Sequence, residues 1–292
     1  MSKYLILLLM SVIVASILTT TSCDKIEPPY FQNNGAIVTG DTVRKLLFED
    51  FTGHDCVNCP SAHKKIEDLQ AIYGDRIVVL AEHVGFFARV MAAPFDYDFK
   101  TATGDDYASV FGATAAPLPK GMVNREKING NYLIDRDAFA TAVSLVLDSM
   151  PIKPDIFIEL SASFTSADSS ISVDAKLTAL SNMPAATYKL VVLVTESEII
   201  QAQKNNDAII GDIPEILDYN HKHVLRGSIN STWGDVFANS AISNGQTFTK
   251  NYTNSKIGHD WNPDNLHIVA FVYYADGSMQ NVVIQAEEIN LR

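Results

Sequence analysis

The chain has 292 residues and a formal charge of −12. That length is too great for one typical domain and is most easily divided between two hydrophobic cores. The acidity argues against nucleic acid or anionic lipid as a partner.

Lys3 precedes an apolar stretch from Tyr4 to Leu18, too short for a comfortable membrane span, and residues 1–22 read as a secretory signal. The stretch ends in Thr19-Thr20-Thr21-Ser22-Cys23, small residues leading into a cysteine, and resembles a bacterial lipobox with Thr20 where an aliphatic residue is usual. Acylation of Cys23 is therefore expected, with ordinary signal-peptidase cleavage as the alternative. Cysteine arithmetic agrees, because three cysteines would leave one unpaired in an exported protein, and lipidation removes the odd one. Acyl chains would hold the protein at a membrane without a transmembrane helix. Residues 23–40, with Pro28-Pro29 and no periodicity, read as a tether. The acidic start of that tether resembles export signals of surface lipoproteins in Bacteroidetes-type bacteria.

Leu46, Leu47, Phe48 and Phe51 form a nearly continuous apolar run, as in a strand covered on both faces, and Thr52-Gly53 punctuates its end. From Pro60 the spacing becomes helical, with Ala62, Ile66 and Leu69 on one face. Cys56 thus lies where a strand hands over to a helix N-terminus. Unpaired amides and the positive end of the helix dipole stabilise a thiolate there, which makes Cys56 the attacking sulfur and Cys59, one turn on, the resolving one. A C-x-x-C pair has other readings. Zinc would need His54 and His63 to complete its ligands, covalent haem would need a histidine where Pro60 stands, and a static disulfide remains open. No metal or cofactor is expected.

Gly74-Asp75 stops the helix, and Arg76 to His83 reads as a second buried strand, giving a right-handed βαβ opening. Glu82 and His83 end that strand on the edge to which the first strand delivers Cys56, so with His54 they are the candidate thiol-tuning groups. A histidine satisfied by neighbouring backbone is the plainer reading of His83. Residues 86–111 read as an insertion of broken helices that either shapes a groove or simply caps the domain. A proline before the apolar strand Gly121 to Arg125 follows, and Pro119 is preferred to Pro117 because the strand begins directly after it. Asn129-Gly130 signals a hairpin turn, and Asp135 is expected to cap a helix with Phe139, Val143, Val146 and Leu147 on one face.

FTGHDCVNCP, AEHVGFF, PKGMVNR and, further on, YNHKHVLRG, behind a lipoprotein-like signal, resemble the Bacteroidetes family related to the twenty-eight-kilodalton outer membrane protein. The resemblance implies an α/β thioredoxin-like domain followed by a β-sandwich at the outer membrane. It implies too that Pro119 takes the place of the cis-proline that thioredoxin-like proteins set opposite their cysteines. No tryptophan precedes Cys56, and Val57-Asn58 stands where thioredoxin has Gly-Pro, so redox direction does not carry over.

Pro151-Ile152-Lys153-Pro154 reads as a stiff linker between domains at 41–150 and 151–292. Beyond it Ile156, Ile158 and Leu160, then Ile171, Val173 and Ala175, alternate with other residues as half-buried antiparallel strands do. Tyr188 to Val194 and Leu266 to Tyr274 read as central strands, Asp276-Gly277 as a two-residue hairpin turn, and the whole as an all-β immunoglobulin-like sandwich. His221 and His223 are expected to point the same way from an edge strand. Trp233 and Trp261 read as packing or sugar-stacking residues.

The expectation is an outer-membrane, lipid-anchored protein that exchanges disulfides with protein or peptide thiols, using Cys56, Cys59 and Pro119. The alternative is a non-enzymatic surface lipoprotein that uses the same folds as a scaffold.

Overall fold

The apolar run at Leu46 forms strand β1 (Leu46–Thr52), buried along its whole length. It belongs to a computed structural model that describes residues 42–149, 151–258 and 260–292, all within one compact unit. The expected signal at 1–22, the tether at 23–40 and Cys23 lie outside the described residues.

After β1 comes helix α1 (Cys59–Tyr73), then β2 (Ile77–His83), parallel to β1. Alternation along the two strands sends Leu46, Phe48, Ile77 and Val79 to one face, where Ile66 and Leu69 of α1 meet them. Leu47, Phe51, Val78 and Leu80 go to the other face. The segment after β2 contains a short 3-10 turn (Phe86–Ala88) and helix α2 (Ala102–Phe111), whose Thr101 cap accepts from the Gly104 amide. Tyr107 and Phe111 of α2 cover the second face. Strand β3 (Lys120–Val123) runs antiparallel to β1 and pairs with the short β4 (Ile134–Asp135). Asn129 and Gly130 both have positive φ, as a type I′ turn requires. Asp135 makes no side-chain cap; a 3-10 turn (Arg136–Ala138) intervenes before α3 (Phe139–Ser149), which buries Phe139, Val143, Val146 and Leu147.

The second half is β apart from a 3-10 turn (Pro263–Asn265). Its strands are β5 (Ile156–Thr165), β6 (Ser170–Ala179), β7 (Tyr188–Glu196), β8 (Ile199–Lys204), β9 (Glu215–His221), β10 (Val224–Ser228), β11 (Asp235–Ala238), β12 (Thr247–Lys256), β13 (Leu266–Tyr274) and β14 (Val283–Asn290). A three-stranded sheet, β12-β6-β5, packs its apolar face on β7, β13 and β14. The connection from β13 to β14 is longer than a two-residue turn, because the last backbone hydrogen bond across it joins Tyr274 and Asn281.

The boundary expected at residue 150 does not separate two sheets. Among the described residues a nine-stranded sheet runs β14-β13-β7-β10-β2-β1-β3-β4, with β11 also on β7. β10 lies between the halves, antiparallel to β7 and parallel to β2, where the Ala81 amide donates to the His223 carbonyl at 2.8 Å. The physical reason is the free edge of β2, whose unpaired backbone groups need partners. One core accordingly contains Phe51, Cys56 and Tyr107 from the first half with Val191, Leu225 and Phe271 from the second.

Candidate functional site

The redox loop, residues 53–58, leaves β1 with little room. A Cβ on Gly53 would stand 2.5 Å from the carbonyl of Phe87, so only glycine lets the two backbones approach, and the Asp55 amide donates to that carbonyl at 2.9 Å. Cys56 and Cys59 form a disulfide across two intervening residues. Cys59 opens α1, whose first turn has Pro60, no acidic residue and no side-chain cap from Asn58. The positive end of the helix therefore faces the cysteines with no acidic side chain of its own first turn to offset it. Both cysteines are buried, at 2% and 0% exposure, while Val57 between them is 38% exposed.

The cover over this loop comes from the second half of the chain. Gln203, at the end of β8, donates from Nε2 to the carbonyls of Cys56 at 3.0 Å and Gly53 at 3.3 Å. Beyond it the Lys204 amide donates to His54 at 2.8 Å and the Asn206 amide to Val57 at 3.2 Å. Asn206 Nδ2 reaches Asn58 Oδ1 at 2.8 Å. Asp55 pairs with Lys204 at 2.5 Å and Arg89 at 2.6 Å. Burial opposes ionisation of Asp55, but the hydrogen bonds from Lys204 and Arg89 outweigh it and hold the carboxyl below its usual range.

On the other side of the loop, Asn58, Leu118 and Pro119 line an open groove with Asp135 and Arg136. The Leu118–Pro119 peptide is cis.

The three candidate tuning residues divide between the two faces of the sheet. His54 lies against Phe99, with Nε2 3.0 Å from the Arg89 carbonyl, and burial lowers its pKa, that hydrogen bond offsetting part of the effect. His83 stacks on the same Phe99 ring at 4.3 Å, and neither of its nitrogens has a hydrogen-bond partner. Burial pushes its pKa well down, and neighbouring His221 adds to the shift. His221 also packs on Phe99, at 4.5 Å.

The expectation that His221 and His223 share a face fails, because β9 ends at His221 and His223 has φ of 55°. His223 instead comes within 3.8 Å of Glu288. Among the described residues no group of three or more His, Cys, Asp or Glu is arranged to hold a metal ion. Trp233 packs edge-on against Tyr107 at 5.1 Å.

Glu82 faces the opposite side, among Glu49, Arg125 and Tyr107. Arg125 is wholly buried and its Nε lies 3.0 Å from both carboxylate oxygens of Glu49. One guanidinium thus stands against two carboxyls. Burial, and after it the charge of Glu49, raises the pKa of Glu82 well above the usual range, which favours its protonated form. A raised folded-state pKa means that stability is full below the unfolded value of 4.5 and is lost as pH rises from there toward the folded pKa. Glu82→Gln, a neutral isostere whose amide can still donate to Glu49, should therefore raise the urea midpoint at neutral pH more than at pH 4. An equal or opposite change at the two pH values would contradict this.

Sequence reasoning passed over Asp50. It is 1% exposed, one oxygen has no partner, and the other lies 3.2 Å from His63 Nε2, which is also 2.9 Å from Thr52 Oγ1. His63 Nδ1 is in turn 2.7 Å from the Tyr219 hydroxyl. A buried carboxylate is thereby connected through an imidazole and a phenol, one on α1 and one on β9, to the edge of a small cavity. The available signal was the pair Glu49-Asp50 inside an otherwise apolar strand, since buried charges need a reason.

The family described as outer membrane protein Omp28 matches residues 104–290. HBP35 of Porphyromonas gingivalis is similar in structure, with a TM-score of 0.59 at 14% identity over 86% of this chain and 76% of that one. At that identity the likeness concerns the fold alone: mostly β-sheet with a few helices. A domain of the outer membrane lipoprotein Omp28 from Porphyromonas gingivalis matches 49% of this chain and 93% of its own, at 22% identity and a TM-score of 0.31. No curated protein matches the chain.

Proposed function

Since the chain belongs to the outer membrane protein Omp28 family, we propose that it acts at the outer membrane as a thiol–disulfide exchange protein, held there by acyl chains on Cys23. The first half is thioredoxin-like in this reading and the second an immunoglobulin-like sandwich. The observation that carries it is the Cys56–Cys59 disulfide at the corner where β1 passes into an uncapped helix N-terminus.

In the reduced protein the Cys56 thiolate attacks a disulfide of a client polypeptide, forms a mixed disulfide and releases one client thiolate. Cys59 then attacks Cys56 Sγ, which breaks the mixed disulfide, frees the second client thiolate and restores the Cys56–Cys59 bond. Two electrons pass from the cysteine pair to the client. Every step is reversible. Pro119 borders the groove in which the client chain lies, beside Asn58 and Leu118.

The test uses the full-length chain and a peptide with one disulfide. Cys59→Ser should accumulate a mixed disulfide on Cys56, visible as an added peptide mass, and Cys56→Ser should accumulate none. No adduct on Cys59→Ser would overturn the proposal. It would favour a second reading, a surface-binding lipoprotein with a structural disulfide, which the near-complete burial of both cysteines supports.

A further inference from the structure

We propose that Gln203–Asn206 is a latch that limits the access of thiols to Cys56, an inference that rests on the exchange reading above. Attack on a disulfide needs an approaching thiolate in line with a sulfur. With Cys56 at 2% exposure and Cys59 at 0%, the closed form offers little access to either. What fixes the loop in that form is a segment about half a chain away in sequence. Gln203 is itself fully buried and holds the Cys56 and Gly53 carbonyls, while the amides of Lys204 and Asn206 hold those of His54 and Val57.

The latch is part of a hairpin with its own pairing. β8 and β9 form a two-stranded sheet of their own, separate from the nine-stranded sheet. Its two ends are flanked by Glu198 at φ 60° and His223 at φ 55°, residues outside the strands where the chain changes direction. The loop beyond β8 keeps its shape through Asn205, whose Nδ2 donates to the carbonyls of Asp207, Gly211 and Asp212. Rotation at the two flanking residues lifts Gln203 and Asn206 from the redox loop without breaking the hairpin, once Lys204 has parted from Asp55 and the Tyr219 hydroxyl from His63.

With the latch lifted, an external thiolate forms a bond to Cys56 Sγ and breaks the Sγ–Sγ bond. The electron pair goes to Cys59 Sγ, which takes a proton from solvent. A second thiol of the same reductant then completes the two-electron reduction.

The experiment follows reduction of the Cys56–Cys59 bond in the full-length oxidised chain by a peptide carrying two cysteines, at fixed pH. Gln203→Ala should speed it roughly tenfold, the change in open population that loss of about one buried hydrogen bond produces. Asn206→Ala, exposed and unable to disturb the core, should speed it less and in the same direction, and it carries the test if Gln203→Ala does not fold. Folded variants that react within about twofold of the parent would overturn the latch. Failure of the latch and failure of the exchange reading are distinguishable: a faster reduction in variants whose Cys59→Ser forms still trap no client would keep the latch and remove the exchange function.

Discussion

Arg125→Met is expected to destabilise the fold by about 3–5 kcal/mol, the usual result of removing one partner from a buried ion pair. Arg125 and Glu49 are both fully buried, and Arg125 Nη2 reaches Glu49 Oε1 at 2.6 Å in addition to the contacts of Nε. The guanidinium also lies over the rings of Tyr107 at 4.3 Å, Phe271 at 4.8 Å and Phe111 at 5.1 Å. Met fills much of the volume, so most of the loss comes from the buried Glu49 carboxyl, which loses its cationic partner. Arg125→Met with Glu49→Gln should therefore recover a substantial part of it. Urea unfolding of the two variants checks this, and a double variant no more stable than the single one would refute the electrostatic explanation.

Acid should weaken the fold through the buried histidines before most carboxylates titrate. Burial, with smaller contributions from His63 and His54, pushes the pKa of His221 from 6.5 down to about 3, and that of His83 moves in the same direction. A depressed folded-state pKa means that the unfolded chain binds the proton first. Stability is full above 6.5 and is lost as pH falls through the window down to about 3. Each pH unit in that window costs about 1.4 kcal/mol per histidine, so His221 alone should remove about 2 kcal/mol between pH 6.5 and 5. His221→Phe, which keeps a ring against Phe99 and Tyr219, should flatten the dependence of the urea midpoint on pH. An unchanged slope would show that His221 is not held neutral. Glu82 acts with the opposite sign and does not mimic the effect.

The corner that holds Cys56 was legible because it is local. An apolar run, a glycine and a change of period to helical spacing all fall within thirty residues, and β1, α1 and β2 follow them closely. The cover was not legible, because the bond from Gln203 to Cys56 joins residues 147 apart and no periodicity encodes it. The same holds for β10, whose short sequence VLRGS does not announce that it will fill the edge of β2. His221 and His223 were misread because alternation was carried past the end of β9 into a residue with positive φ. Asp50 was hidden by the run around it: strand patterning records how many residues are apolar, whereas the two carboxylates within β1 are what the ion pair and the His63–Tyr219 connection are built on.

The central claim is that Cys56 and Cys59 cycle between disulfide and dithiol. Its most direct test is the equilibrium of the full-length chain in glutathione buffers of graded potential, with the oxidised fraction read from alkylation of free thiols. Exchange function predicts a midpoint within roughly −270 to −120 mV, the span of dedicated thiol–disulfide proteins. A midpoint below about −300 mV, where structural disulfides of secreted proteins lie, would contradict it.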